Sequence, residues 1–175
     1  IISETDIEKF SFEGRKAKFT RGNPNRLAYI VFTSGTSNRP RAAQHAHRAI
    51  WARKSMHSDW YSLTSNDRLL HAGALNWTYT LGTGLLDPWS IGATSIVLED
   101  NLTISDIPNV IKNSNATLFA AVPGVYRKLL DQNEELEFPS LRHCFSAGEK
   151  LSQNIHDKWR KRTKKFIYEA FGMSE

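Results

Sequence analysis

YIVFTSGTSNRPR, residues 29–41, runs four apolar positions into five small ones and then into two arginines flanking a proline. The apolar half reads as a strand, and the small half as the loop that ends it. Gly35 lets the backbone come close to a ligand. Successive amides can form an anion-binding nest, and the hydroxyls of Thr33, Ser34, Thr36 and Ser37 add donors. Arg39 and Arg41 supply positive charge whose fork geometry suits phosphate. An ordinary turn is the competing reading, because the same residue types make most loops. A Walker loop is excluded, since no Gly-Lys-Ser/Thr follows Gly35 at the required spacing.

Outward from that stretch, short apolar runs alternate with longer amphipathic ones. Strands are expected at 29–32, 68–71, 94–98, 117–122, 141–145 and 166–168, and helices at about 45–61, 79–89, 104–112, 124–130 and 152–163. This alternation predicts an α/β fold, a largely parallel or mixed sheet with helices on both faces and ligands at the carboxyl ends of the strands. Residues 1–27 read as a polar lead-in, and 28–175 as the folded unit. The chain has 175 residues, 40% hydrophobic and 23% charged, which excludes a disordered polymer. A formal charge of +5 favours anionic partners. The single cysteine, Cys144, excludes an internal disulfide framework and fits a reducing, cytoplasmic setting. No apolar run is long enough to span a membrane.

TSGTSNRPR followed by AAQHAHR resembles the phosphate-binding loop of the adenylate-forming superfamily, the acyl-CoA synthetase and AMP-binding enzymes. Asn38, Arg41 and Ala42 stand where glycine, lysine and glycine are usual, and arginine keeps the charge. Two further segments resemble the same family in the right order. LRHCFSAGEKL, 141–151, is similar to its strand and turn beside the adenine, which implies nucleotide contacts at Ser146, Ala147, Gly148 and Glu149. YEAFGMSE, 168–175, is similar to its aromatic-Gly-x-Thr/Ser-Glu motif. That resemblance brings Glu169, Ala170, Phe171 and Gly172 to the nucleotide, with Phe171 on adenine, Ser174 on the α-phosphate and Glu175 holding Mg²⁺. Segment 67–100 resembles the acid-pocket region of short-chain acyl- and aryl-CoA ligases, such as those acting on benzoate, with Trp77, Thr78, Tyr79 and Gly82 at its wall. Trp77 also admits a plain core reading. Segment 115–130 adds Val122 and Gly124 to the pocket border.

The resemblance implies part of the large N-terminal domain of an acid–thiol ligase. Its substrates would be ATP, a small carboxylic acid and coenzyme A, with Arg41, Ser174 and Glu175 as catalytic residues. Family members use a downstream aspartate and a C-terminal lysine that do not occur here, so the chain alone is expected to be inactive. An unusually apolar face, and self-association through it, are expected too. Two alternatives stay open: an adenylation domain loading a carrier protein, and a nucleic-acid-binding module using the basic run KWRKRTKK, 158–165. Solvated cations suited to a helix C-terminal dipole are the stronger reading of that run, so no nucleic acid is expected. His45 and His47 make too few ligands for a metal site, and His143 and Cys144, adjacent on a strand, point to opposite faces.

Overall fold

The computed structural model describes residues 18–33, 40–132 and 136–174. The first elements are an antiparallel hairpin, β1 (Leu27–Thr33) and β2 (Arg41–Ala46), running directly into α1 (His47–Ala52). Thr33 pairs with Arg41 across the ladder; residues 34–39 between them, on which most of the expected phosphate loop falls, lie outside the described part. The expected helix from residue 45 is corrected here, because Arg41–Ala46 is a strand. Two alanines in a row favour a helix locally, but pairing with β1 and the stack of His45 on Tyr29, 4.7 Å between ring centroids, override that propensity.

The frame is a five-stranded, wholly parallel sheet in the order β4 (Thr94–Ile96), β3 (Arg68–His71), β5 (Leu118–Ala121), β6 (His143–Ser146), β7 (Ile167–Glu169). Neighbouring residues on a strand face opposite ways, and the core divides accordingly. Leu70, Phe119, Ala121 and Cys144 face the helices α3 (Ile107–Asn113), α4 (Pro123–Leu130) and α5 (Gln153–Thr163), which contribute Ile107, Ile111, Tyr126, Leu129 and Trp159. Trp159, fully buried, packs edge-on to Tyr126 at 4.8 Å and anchors α5 to the sheet. Burial in this layer pushes the Cys144 thiol up to about 12, so it is an inert core residue.

Leu69, Leu118, Ala120 and Phe145 face the other way, against Tyr61, Leu63 and Ala93. Two π-helical turns, His57–Tyr61 and Thr80–Leu86, cover this face where longer regular helices were expected. The second turn leads into the short helix α2 (Asp87–Ser90). Gly84 allows it to lie close to the sheet: a Cβ there would sit 2.7 Å from the Cβ of His71.

At the amino edge Asp67 gathers the strand starts. It accepts Arg142 Nε and Nη2 at 2.9 and 2.7 Å, the Thr117 hydroxyl at 2.6 Å and the Thr64 amide at 2.8 Å. Burial alone would raise its carboxyl, yet these donors hold it at about 2. Leu27, Ile30 and Phe32 of the hairpin, with Trp51 of α1, are among the exposed large apolar residues.

Candidate active site

In a parallel sheet all the strand carboxyl ends lie along one edge. The order β4-β3-β5-β6-β7 reverses direction between β3 and β5, and ligands of such sheets bind in the crevice outside that reversal. The loops that leave the strands at this edge decide the chemistry available.

After β3, Ala72 extends the ladder through its amide to Ala120 O at 2.9 Å, and the chain then climbs through Trp77, Thr78 and Tyr79. After β5, Val122 and the Pro123 start of α4 bring Gly124 to the same rim. After β6 comes Gly148, whose φ of +94° a residue with a Cβ rarely adopts. A Cβ at Gly148 would stand 3.5 Å from Val122 Cγ1, and one at Gly124 would stand 3.8 Å from Glu149 Oε1, so these two rims touch. After β7, the Ala170 amide donates to Ser146 O at 2.8 Å before the chain reaches Phe171 and Ser174.

Two side-chain hydrogen bonds join the loops. The Thr78 hydroxyl donates to Ser174 Oγ at 3.1 Å, linking residues 96 positions apart. The Leu151 amide donates to Glu169 Oε1 at 2.6 Å, so Glu169 braces the 147–151 loop from β7. Phe171 is 93% exposed and Trp77 65%, with Val122 also exposed, so the rim offers flat apolar surface to solvent. Trp77 is therefore not a core residue. Ser146, fully buried at the end of β6, has an Oγ without a protein partner.

The sequence-expected residues separate into three groups. Trp77, Thr78, Val122, Gly124, Gly148, Glu149, Phe171 and Ser174 come to one edge, with Ala147, Ala170 and Gly172 on the same loops. Ser34, Gly35, Thr36, Ser37 and Arg39, between Thr33 and Arg41, lie outside the described residues, and so does Glu175. Tyr79 and Gly82 lie deeper. The Tyr79 hydroxyl is buried without a partner, its ring set edge-on to His71 at 4.5 Å. Gly82 is buried under Arg53, where a Cβ would be 2.6 Å from Cζ.

His71 was not singled out from sequence, yet burial pushes its pKa down to about 3 and keeps it neutral. Its Nδ1 accepts the Gly73 amide at 3.1 Å, which leaves the proton on Nε2. Also missed was the polar cluster around Asp87, which spans 34 residues and leaves no local pattern in the sequence. Among the described residues no group of three or more His, Cys, Asp or Glu could hold a metal ion, and no helix is long and apolar enough to cross a membrane.

The basic run behaves as a helix end. Lys164 caps α5 at φ +60°, Arg160 lies 4.3 Å over the Phe166 ring, and Arg162 donates to Leu130 O and Gln132 O at 2.7 and 3.0 Å. An open groove of ≈ 460 Å³ lined by Asp157, Arg160, Lys161, Lys164 and Phe166 lies beside the start of β7, at the opposite edge from the candidate site.

Comparison with known proteins gives a consistent result. The sequence profile described as "AMP-binding enzyme" matches residues 2–175, including the polar lead-in. The human protein named acyl-coenzyme A synthetase ACSM3, mitochondrial, is 32% identical over 157 residues, covering 86% of this chain and 26% of that protein. The 3-hydroxybenzoate–CoA ligase of Aromatoleum sp. (strain CIB) is 29% identical over 154 residues, covering 87% and 29%. Among solved structures, ATP-bound MatB from Rhodopseudomonas palustris superposes with a TM-score of 0.78 at 26% identity, covering 92% of this chain and 32% of that one. The chain thus spans between a quarter and a third of the length of these relatives.

Proposed function

Because this chain belongs to the AMP-binding enzyme family, we propose that it forms the nucleotide and acid side of an ATP-dependent acyl- or aryl-CoA ligase. The observation that carries this reading is the Thr78–Ser174 hydrogen bond of 3.1 Å. It ties a residue of the acid-pocket segment to the residue assigned to the α-phosphate. Adenylation needs a carboxylate oxygen and that phosphorus in contact, and a bond between these two segments supports that arrangement.

In the first half-reaction the carboxylate oxygen attacks the α-phosphorus. The bond to the β-phosphate bridging oxygen breaks, and pyrophosphate leaves with that electron pair. In the second, the coenzyme A sulfur attacks the acyl carbonyl, AMP departs and the thiol gives up its proton. Thr33 and Arg41, at the base of the 34–39 loop, would offset charge on the leaving pyrophosphate. The Ser174 hydroxyl would donate to the α-phosphate, and Phe171 would lie against the adenine with the 147–149 loop at its edge. Trp77, Thr78, Val122 and Gly124 would border the acid. Mg²⁺ binds through one or two carboxylates and otherwise through substrate phosphates and water, and Glu175 would help hold it. Bound there, the ion would draw charge off the phosphate oxygens.

An acid with a flat or short apolar body suits the exposed Trp77 and Val122 rim, in keeping with the aryl and acyl relatives. A reducing compartment, the cytoplasm in our reading, fits the buried free Cys144. The ligase is tested by assaying the full-length protein with ATP, coenzyme A and a panel of short-chain and aromatic acids. Acid-dependent pyrophosphate release, reduced at least tenfold by Ser174→Ala, is expected. Release that ignores the acid, or is untouched by that substitution, would refute the assignment.

A further inference from the structure

Ser174 lies on the irregular stretch after β7, four residues beyond the last backbone tie to the sheet. That tie is the Ala170 amide, which donates to Ser146 O at 2.8 Å. Phe171 and Met173 beyond it are 93% and 67% exposed. Among the described residues, the bond from Thr78 is the one hydrogen bond made by residues 171–174. Thr78 is better held. The Trp77 amide donates to Ala74 O at 3.2 Å, and the Leu81 amide donates to Trp77 O at 2.8 Å. On its other side the Tyr79 ring is set edge-on to His71, 4.5 Å between centroids. A β-branched side chain also has few rotamers open to it, which fixes the direction of its hydroxyl.

The direction of the bond decides what Ser174 can do. The Thr78 hydroxyl donates and Ser174 Oγ accepts, at 3.1 Å. A hydroxyl has one hydrogen and two lone pairs. Ser174 therefore receives on a lone pair and keeps its hydrogen for a second acceptor. We infer that Thr78 is a positioning residue for Ser174, aiming the serine hydrogen at the α-phosphate; this rests on the ligase reading above, which assigns Ser174 to that phosphate. Hydrogen bonds in a chain strengthen one another, so a serine that accepts from Thr78 is a better donor to a phosphate oxygen. A donor fixed before the reaction is worth most where charge develops in the transition state. Thr78 also borders the acid, but its one hydrogen is already given to Ser174. The attacking carboxylate oxygen thus keeps its lone pairs for the phosphorus.

The test uses the full ligase at saturating acid, with four variants: Thr78→Val, Thr78→Ser, Ser174→Ala and the Thr78→Val, Ser174→Ala double. The readings are kcat for acid-dependent pyrophosphate release and the KM for ATP. Thr78→Val should lower kcat roughly tenfold and leave the KM for ATP within about threefold, because a misaimed donor costs more in the transition state than in binding. Thr78→Ser keeps the hydroxyl and should recover most of that loss. With Ser174 already replaced by alanine, Thr78→Val should lower kcat by less than about twofold further, since the two residues act as one unit. Thr78→Ala takes the place of Thr78→Val if the valine variant does not fold. Wild-type kcat in Thr78→Val, no recovery in Thr78→Ser, or a full second tenfold fall in the double variant overturns the positioning role. A wild-type protein without acid-dependent pyrophosphate release, or a Ser174→Ala variant that matches wild type, instead overturns the ligase reading and the role with it.

Discussion

Asp67 and Asp87 each sit buried in the grip of one arginine, with fork distances of 2.9 and 2.7 Å in the first case and 2.8 and 2.6 Å in the second. The contacts are nearly identical, but what they connect is not. The Asp67 fork joins pieces of one sheet: Thr117 at the start of β5, Arg142 at the start of β6 and the 62–64 turn below β3. It also holds Ser62, at φ +47°, by a 2.6 Å bond from Arg142 to its carbonyl. The Asp87 fork joins two units that share no strand, the segment that follows the hairpin through α1 and the turn that follows Tyr79. Equal contacts thus tie neighbouring strands in one place and separate units of the fold in another.

The sharpest way to break this comparison is to remove each acid in turn. Asp87→Ala leaves Arg53 buried without its counter-charge and should cost about 3–5 kcal/mol in denaturant unfolding, the largest effect expected here. Asp67→Asn keeps the shape but replaces charge-assisted bonds by neutral ones, and a loss of about 1.5–3 kcal/mol is expected. If the ligase reading holds, Asp67→Asn should leave the adenylation kcat within about threefold while folded. A larger fall would show that the Asp67 fork bears on the crevice as well as on the sheet.

Acid titration sharpens it further. The Asp67 carboxyl stands at about 2 in the fold against an ordinary 3.8. Its contribution is therefore complete above pH ~4 and disappears as pH falls towards 2. Wild type should lose stability across that window, and Asp67→Asn should lose correspondingly less, as followed by urea midpoints. A smaller effect, about 1–2 kcal/mol, is expected for Gly148→Ala, since φ +94° strains any residue with a Cβ. Phe171→Ala, at a 93% exposed position, should change stability by less than about 0.5 kcal/mol yet weaken AMP binding measurably by calorimetry.

Much of this architecture could be read from local pattern. β3 occupies 68–71 as expected because Leu69 and Leu70 are apolar on both sides, the mark of a strand covered on two faces. The loops after β6 and β7 were legible only through their resemblance to family motifs, in LRHCFSAGEKL and YEAFGMSE. β2 was not, since its alanines say nothing about the partner that makes it a strand. The Thr78–Ser174 and Arg53–Asp87 contacts were also illegible, because they exist only between segments far apart in sequence. Tyr79 and Gly82 show the limit differently: proximity in sequence to Trp77 does not tell which side of a turn faces the crevice.

The strand order has a further consequence, for how the molecule assembles as it is made. From β3 onwards, β4 adds on one side, and then β5, β6 and β7 add one after another on the other. Each new strand finds its neighbour already synthesised, so the sheet can grow outward in step with translation, without waiting for a later strand to be inserted between earlier ones. Every one of these parallel pairings still closes a long loop, which slows folding, and the Asp67–Arg142 and Thr78–Ser174 bonds close longer ones still, 75 and 96 residues. The crevice is therefore open on one side until β7 and the loop after it arrive, so the last strand of the sheet and the last wall of the crevice are made together.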